Sequence, residues 1–485
     1  MNTNTRKKAI LILPFAIWLP LLFLAVFLQN DTLRIAAALF PFVALFSYLI
    51  FYKPFFYISA IFLLLPLSVN IEDLGLSLGV SIPGEILILP FAGLVFFQLI
   101  SSPQFRRLIS KPHPLTLLLL INLGWMLFTS FTGTMLIVSL KYVFIRSVFL
   151  LAFYFWILTL KPEDFLKLLG LFSFTVIFTV IWATAKHAQF GFIPQVNGWA
   201  PEPFFKDHTI YGALLALLLP VSVLTLFTRL QTLWLKLIFF AAIPFLLTGI
   251  FLSYSRAAWL SVGVMLVLAA ILLFKVRFRY FLAGIGILAV VAFSLRNPAL
   301  DKLNQIRSER GGGVQEHLKS AINIKTSASN LERINRWESA LKMFREKPVR
   351  GFGPGTYPFQ YAPYQNEEHM TRISTWFGDV GGVHSEYLKP LSESGLPGFL
   401  SFVAIIILAL RSGFRVYLHS TNKQHRLYAA ALMLGLSTYY FHGFFNYFLH
   451  TDKIAALFWG MTAMLINMEN QLKMNNPAPD DVLRK

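Results

Sequence analysis

Residues 209–228 read TIYGALLALLLPVSVLTLFT, twenty consecutive positions without a charged side chain. Asp207 and His208 precede this stretch, and Arg229 follows it. A helix of about 20 apolar residues spans the hydrocarbon core of a bilayer. The stretch therefore predicts a transmembrane helix with polar residues at both ends.

The same pattern recurs along the whole chain. Of its 485 residues, 56% are hydrophobic and only 13% are charged, and the mean hydropathy is +0.62. Such a composition is too apolar for an ordinary soluble domain. The predicted fold class is an all-α polytopic membrane protein with about 12–14 transmembrane helices. The remaining runs lie at 9–28, 34–52, 54–70, 83–101, 114–131, 134–160, 165–186, 233–252, 256–274, 279–295, 385–410, 427–447 and 453–470.

Lysine and arginine are concentrated in alternate connections between these runs, beginning with Arg6, Lys7 and Lys8. Short loops rich in Lys and Arg stay on the cytoplasmic side of a membrane, so we expect both termini to be cytoplasmic. The net charge of +19 is then mainly a topology signal, and nucleic acid is not an expected partner. The first run is expected to be retained as a membrane segment rather than cleaved as a signal peptide.

One long polar stretch interrupts the apolar pattern. The predicted organisation is eleven transmembrane helices in 1–295, an outer loop with amphipathic helices in 296–383, helices 12 to 14 in 384–470 and a cytoplasmic tail in 471–485. The chain contains no cysteine, which excludes disulfides and thiolate metal sites.

The outer loop itself has four distinguishable parts. Gly311–Gly313 and the surrounding polar residues are typical either of a flap over a site or of a plain linker. Leu331–Phe344 has the periodicity of an amphipathic helix. The alternate glycines of Gly351–Gly355 favour a turn that ends this helix, with anion binding by backbone N–H groups as the other interpretation. The aromatic span Tyr357–Tyr364 suits either sugar stacking or simple packing.

Three basic residues lie where predicted helices meet this loop. Arg256 opens the helix 256–274, where its guanidinium can bind phosphate oxygens or anchor the helix at the interface. Arg333 shares a helix face with Trp337. His384 lies where the chain re-enters the membrane, and the ordinary pKa of histidine suits a general base. For Arg333 a solvated helix face, and for His384 a structural role, are the alternatives.

Five further residues are candidate substrate-binding groups. Arg336 lies on the flank of the loop helix, so the choice between it and Arg333 stays open. Glu386 is predicted to orient an imidazole or face a polar cavity, because ionisable groups at membrane depth are often functional. Arg146 interrupts an apolar run and calls for an anionic partner such as a lipid phosphate. The set consists of Arg336, Arg146, Lys206, Glu386 and Trp337.

Metal ligands are not evident in the sequence. The carboxylates of the predicted outer segments are scattered, and no His, Asp and Glu cluster has ligand spacing. We therefore expect metal-independent chemistry that uses no cofactor.

Several short motifs occur in a characteristic order around the long loop. They comprise Ser255-Arg-Ala-Ala-Trp259, Arg333-x-x-x-Trp337, Pro348-x-x-Gly-x-Gly353, His384-x-x-x-Leu388, Glu393-x-Gly395-x-x-Gly398 and His442-Gly-Phe-Phe. Over roughly 205–465 the chain resembles the O-antigen ligase and polymerase superfamily. It departs from the usual motifs at two positions, with Ala257 where Gly is frequent and Ser385 where Asn is frequent.

The resemblance implies a membrane glycosyltransferase of lipopolysaccharide and polysaccharide biosynthesis in the bacterial inner membrane. Its donor would be a glycan on undecaprenyl diphosphate and its acceptor a hydroxyl on the periplasmic side. Carried over by motif, the catalytic residues are His384, Arg256 and Arg333. The two arginines would hold the diphosphate, and His384 would activate the acceptor.

Four functions remain as alternatives to one another. An O-antigen ligase, with lipid A-core as acceptor, is the first expectation, and a polymerase that extends lipid-linked repeats is the second. A lipid-linked glycan flippase is less favoured, because flippases generally have internal repeats and short loops. A scaffold for an envelope assembly complex is the last alternative.

Overall fold

The computed structural model is built almost entirely from α-helices, which confirms the predicted all-α membrane fold. In a bilayer every backbone polar group must find an internal partner, so apolar runs fold as helices. The structure describes residues 18, 20, 22–24, 27–29, 31–74, 80–229, 232–294, 328–371, 374 and 381–475. Most of the predicted first run, the Gly311–Gly313 segment and most of the C-terminal tail lie outside the described residues.

The helices follow the predicted runs closely wherever both can be compared. In chain order they are α1 (Asp31–Tyr52), α2 (Pro54–Leu64), α3 (Gly84–Ser101), α4 (Pro103–Ser110), α5 (Pro114–Thr132), α6 (Leu136–Phe149), α7 (Pro162–Gln189), α8 (His208–Thr225), α9 (Leu233–Leu252), α10 (Arg256–Leu273), α11 (Phe278–Ser294), α12 (Ala328–Glu346), α13 (Tyr357–Gln360), α14 (Leu388–His419), α15 (Lys423–His442) and α16 (Asp452–Asn475).

Nine of the helical segments within the described ranges are long and apolar enough to span a bilayer. One of them is α6 together with its continuation to Thr159, which contains a π-helical segment at Leu150–Phe155. Two-residue strands, β1 (Val69–Asn70) and β2 (Ser81–Ile82), pair antiparallel with Val69 opposite Ile82.

The chain divides into two compact units. The described residues up to Leu63 form the first, in which Phe46 and Tyr57 make an edge-to-face ring contact at 5.6 Å. The second unit begins at Leu64 and contains every candidate site residue. Its most buried helices are α8, α15 and α16. Helices α8 and α15 pack against each other, while α10 packs on both.

Two of the helix boundaries that differ from the prediction create loops. The predicted helix 385–410 begins only at Leu388, since Ser385 accepts hydrogen bonds from the backbone N–H groups of Tyr387 and Leu388 and so starts the helix. The predicted helix 427–447 ends at His442. The chain from 443 to 451 is instead a loop, and its backbone is held by a buried carboxylate described below.

The loop helix α12 and the chain that follows it form their own small core. Its buried residues are Ala340, Met343, Phe352, Tyr357, Tyr361 and Val383. Tyr357 and Tyr361 stack on each other at 5.3 Å inside this core. The aromatic span therefore serves packing, the second of its two sequence interpretations.

Candidate active site

Arg256 is the first residue of α10 and follows a tight turn. Tyr254 has a left-handed backbone with φ of 49°, and the Ser255 hydroxyl accepts a hydrogen bond from the N–H of Ala258 at 3.4 Å. This turn packs closely against α8, because a Cβ atom at Gly212 of that helix would lie only 2.9 Å from the Ser253 hydroxyl. Packing of these two helix starts thus fixes the position of Arg256.

Asp207 caps the start of α8 in the same region. Its carboxylate accepts hydrogen bonds from the N–H groups of Thr209 at 2.6 Å and Ile210 at 3.0 Å. Side-chain acceptors at this position satisfy N–H groups that have no partner within the helix. Asp207 therefore combines a structural cap with a negative charge close to the arginines.

Arg333 approaches this region from the loop helix α12. Its Nε donates a hydrogen bond to the carbonyl of Phe445 at 3.3 Å. Burial lowers the pKa of Arg333, the neighbouring Arg256 lowers it further, and Asp207 acts in the opposite direction. The fold thus brings together two guanidinium groups that are far apart in sequence.

His384 lies beside them on a constrained backbone. Its φ is 51°, a left-handed conformation that is uncommon for residues other than glycine. The Trp337 indole donates a hydrogen bond to the His384 carbonyl at 3.1 Å, and the N–H of Glu386 donates to the Gly443 carbonyl at 2.8 Å. Constrained conformations of this kind cluster at functional sites.

The surroundings of His384 change its acidity. Burial lowers the pKa of its imidazole to about 4, and the positive charges of Arg333 and Arg336 contribute to the decrease. The Glu332 carboxylate and a hydrogen bond with Asn446 act in the opposite direction. The ring is therefore uncharged at neutral pH, with a pKa well below the ordinary value on which the sequence argument relied.

Asn446 is a residue that the sequence reasoning missed. Its side chain is buried and bonds to His384, and its Nδ2 also lies 3.0 Å from Nε2 of His442. One amide thus links two imidazoles. The segment beginning at His442 was part of the family motif, but no pattern in the sequence assigned a role to the asparagine that follows it.

We use the term arginine–histidine cluster for Arg256, Arg333, His384, Asp207 and Asn446. Three helices, α8, α10 and α14, begin within four residues of its members. Helix N-termini carry partial positive charge, which adds to the field of the two guanidiniums. The cluster is therefore suited to an anion next to a neutral imidazole.

Arg336 has a different environment from Arg333. Its Nε donates a hydrogen bond to Glu332 at 2.6 Å, and both side chains are buried. Its guanidinium stacks over the Tyr361 ring at 4.4 Å. A Cβ atom at Gly381 would lie 1.8 Å from Nη1 of Arg336, so only glycine fits there. Arg336 thus braces the outer loop, and substrate contact by Arg336 stays a prediction.

Glu386 is buried and holds the loop 443–451. One of its oxygens accepts from the Tyr439 hydroxyl at 2.6 Å and from the N–H groups of Phe448 at 2.6 Å and Leu449 at 2.8 Å. The same loop carries Asn446. Glu386 therefore positions the loop that carries Asn446 of the cluster. Direct contact of Glu386 with substrate stays a prediction.

Glu393 lies in α14, and its carboxylate contacts the glycine-rich turn that follows α12. Its carboxylate accepts hydrogen bonds from the N–H of Gly355 at 2.8 Å and from Lys389 at 3.0 Å. Gly351, Gly353 and Gly355 all have positive φ, and a Cβ atom at Gly351 would lie 2.3 Å from the carbonyl carbon of Glu393 in α14. The N–H group of Gly355 does face an anion, but that anion is the protein's own carboxylate.

Arg146 and Lys206 lie at two cavities beside the loop 443–451. Arg146 lines a cavity of about 260 Å³, donates to the Leu449 carbonyl at 3.3 Å and lies 4.9 Å from the Trp459 ring. Lys206 is exposed and lines a cavity of about 240 Å³. His450 contributes to both cavities. The fold thus places Arg146 and Lys206 near the cluster without making them part of it.

Residues 240–403 match the family model described as O-antigen ligase. The match supports the resemblance of this chain to the O-antigen ligase and polymerase superfamily. The matched range contains Arg256, Arg333 and His384, all of which the fold gathers into one cluster. No curated protein matches the sequence at a significant level.

The match supports a membrane glycosyltransferase of the ligase and polymerase type. The structure also explains one departure from the family motif. Ser385, which stands where Asn is frequent, uses its hydroxyl to accept the N–H groups that start α14. Serine and asparagine are both preferred at such positions. Among the described residues no group of three or more His, Asp or Glu could hold a metal ion, and metal independence stays a prediction.

Proposed function

We propose that the protein transfers a glycan from undecaprenyl diphosphate to a hydroxyl of lipid A-core, on the periplasmic side and without a metal ion. The observation that carries the proposal is the convergence of Arg256 and Arg333 beside the neutral imidazole of His384. Fixed guanidiniums stabilise charge that develops on a diphosphate leaving group.

In this reaction His384 takes the proton of the acceptor hydroxyl. The oxygen attacks the anomeric carbon, the bond from that carbon to the diphosphate oxygen breaks, and its electron pair leaves with the diphosphate. Arg256 and Arg333 bind the departing oxygens. The proton on His384 then passes to the solvent or to the leaving diphosphate, which restores the neutral imidazole.

Donor binding also activates the base. The guanidinium of Arg333 lowers the pKa of His384 in the free enzyme. A bound diphosphate brings negative charge between these groups, which offsets their effect and raises the pKa. A base whose pKa lies closer to the working pH accepts a proton more effectively, so His384 becomes a better base when the donor is in place.

The test is a transfer assay with purified protein, a diphosphate-linked glycan donor and one of two acceptors, lipid A-core or a second lipid-linked repeat. We expect product with lipid A-core and about 100-fold less product with Arg256→Gln, because one fixed donor to a developing charge has an effect of that order. Arg229→Gln, which changes an exposed arginine away from the cluster, is the matched control.

The assay separates the alternatives. Elongation of the lipid-linked repeat without transfer to lipid A-core would identify a polymerase. Wild-type rates with Arg256→Gln, or no product with either acceptor, would refute the proposed chemistry. Chelation of divalent metal ions in the same assay tests metal independence, for which we expect an unchanged rate.

A further inference from the structure

A second basic site lies one helix length away from the arginine–histidine cluster. It is a cavity of about 570 Å³ between the start of α11 and the end of α14. Its lining consists of Lys275, Arg277, Phe278, Arg279, Arg411, Phe414, Arg415, Leu418 and His419. α10 begins at Arg256 and ends at Leu273, beside this cavity, and its 18 residues span about 27 Å at 1.5 Å per residue. The two sites are therefore separate.

The floor of the cavity is apolar and well packed. Phe414 is fully buried, and its ring lies 5.3 Å from Phe278 and 5.1 Å from Phe281. These aromatic contacts join the start of α11 to α14. The lower surface of the cavity suits the apolar part of a ligand rather than a free ion.

The rim of the cavity is strongly positive. Five of its lining side chains are lysine or arginine and a sixth is His419, while none of the described lining residues is acidic. A nearby carboxylate, Glu469, bonds to Arg415 at 3.1 Å but also to His113 and Lys473, each at 3.2 Å. One carboxylate shared among three basic groups leaves the rim with a positive charge.

Membrane topology alone does not account for this arrangement. The bias toward lysine and arginine concerns loops on one side of a membrane, and it requires no convergence around a cavity. The exposed Arg106 and Arg107 on α4 illustrate that simple case, because they line none of the cavities described here. The cavity instead combines guanidinium groups, which bind phosphate oxygens in pairs, with an aromatic floor.

We propose that this cavity binds the phosphate-bearing headgroup of an anionic membrane phospholipid. Basic pockets between transmembrane helices are typical sites for such headgroups. Arg277 and Arg411 come from different helical segments and are the rim residues chosen for testing. The phosphate lies among the basic side chains, and the first part of an acyl chain packs on Phe278 and Phe414.

The experiment measures cardiolipin binding to the full-length protein in detergent by native mass spectrometry, with phosphatidylcholine as the neutral comparison. We expect cardiolipin to bind more tightly than phosphatidylcholine. Arg277→Gln combined with Arg411→Gln should weaken cardiolipin binding about tenfold, since each basic residue near the surface contributes on the order of a several-fold change. Arg106→Gln combined with Arg107→Gln is the matched control and should change it less than twofold.

Four outcomes would overturn the proposal. They are equal binding of the two lipids, an equal loss in both double variants, a cavity variant with wild-type cardiolipin binding, and displacement of cardiolipin by millimolar inorganic diphosphate. The last would identify a soluble phosphate ligand rather than a lipid. Both substituted arginines are exposed, so we expect the variants to fold, and an unchanged size-exclusion profile checks this.

Discussion

Arg333 and Arg336 lie less than one turn apart on α12, yet their surroundings differ. Arg336 is buried against Glu332 and Tyr361, and its positive charge is compensated inside the loop core. Arg333 lies near Arg256, whose like charge lowers the pKa of Arg333, and near Asp207. Like charges placed together cost free energy unless an anion joins them. The neighbouring groups therefore distinguish the two arginines. Arg336 braces the outer loop, whereas Arg333 belongs to a candidate anion site.

The same distinction applies to the carboxylates. Glu386 was a candidate for orienting an imidazole or facing a polar cavity, and Glu393 belongs to the motif Glu393-x-Gly395-x-x-Gly398. Each instead accepts backbone N–H groups, Glu386 in the loop 443–451 and Glu393 in the glycine-rich turn. Buried carboxylates of this kind hold loops in place because unsatisfied N–H groups would be costly. They support the cluster without belonging to it.

The largest effect is expected at His384 itself. His384→Asn removes the proposed base but keeps a residue type that tolerates the left-handed backbone at φ of 51°. Transfer should fall by about 10²- to 10⁴-fold while thermal stability stays close to that of the wild type. The measurement is the transfer rate together with the unfolding temperature. Undiminished transfer would remove His384 from the mechanism.

The two arginines of α12 should respond in opposite ways. Arg333→Gln should reduce kcat about 100-fold with little change in stability, by the loss of one charged donor. Arg336→Gln leaves Glu332 buried without its partner and should destabilise the loop by about 3 kcal/mol. Parallel measurements of kcat and of the unfolding temperature check this. If Arg336→Gln lowered kcat and Arg333→Gln lowered stability instead, Arg336 would be the functional arginine.

The pH profile of kcat/KM tests the electrostatic environment of His384. The imidazole must be neutral to accept a proton, and its lowered pKa of about 4 keeps it neutral as the pH falls through 6. Activity should therefore persist to about pH 5 and decline only below it. In Arg333→Gln the decline should begin at higher pH, since one positive neighbour is gone. A wild-type decline centred near 6.5 would show that neither burial nor the guanidiniums lower the pKa of this ring.

A moderate effect is expected from Glu386, which acts through the loop that carries Asn446. Glu386→Ala removes the acceptor of three hydrogen bonds, so both stability and kcat should fall, the latter about tenfold. Glu386→Gln keeps an oxygen at the same place and should restore most of both. If Glu386→Gln were as inactive as Glu386→Ala, the negative charge itself would be required, and contact with substrate would be favoured.

The smallest effect is expected at Trp337. Trp337→Phe retains an aromatic ring against Phe445 but loses the indole N–H that bonds to the His384 carbonyl. One such hydrogen bond contributes about 1 kcal/mol, so kcat should fall only a few-fold, with KM little changed. A loss as large as that of His384→Asn would assign Trp337 a direct contact with the substrate.

Much of the fold was predictable because its signals are local. The apolar runs between 34 and 470 correspond to observed helices, as an uninterrupted run must bury its backbone polar groups in a helix. The helix of the outer loop follows from its periodicity, and observed α12 covers the predicted Leu331–Phe344. The start of α14 and the end of α15, both beside the cluster, were not predictable. The start of α14 depends on Ser385, and the end of α15 depends on Glu386, which binds a loop that is distant in sequence.

The amino-acid sequence alone indicated an all-α membrane protein that resembles the ligase and polymerase superfamily, and it pointed to Arg256, Arg333 and His384 as residues to test. Only the tertiary structure decided which of these side chains meet. The lowered pKa of His384 and the bond from Asn446 arise between elements that are distant in sequence, and the burial of the i,i+4 pair of Glu332 and Arg336 depends on how the outer loop packs. Composition and motifs do not specify the distances between these side chains, because burial and electrostatic coupling exist only after the helices pack.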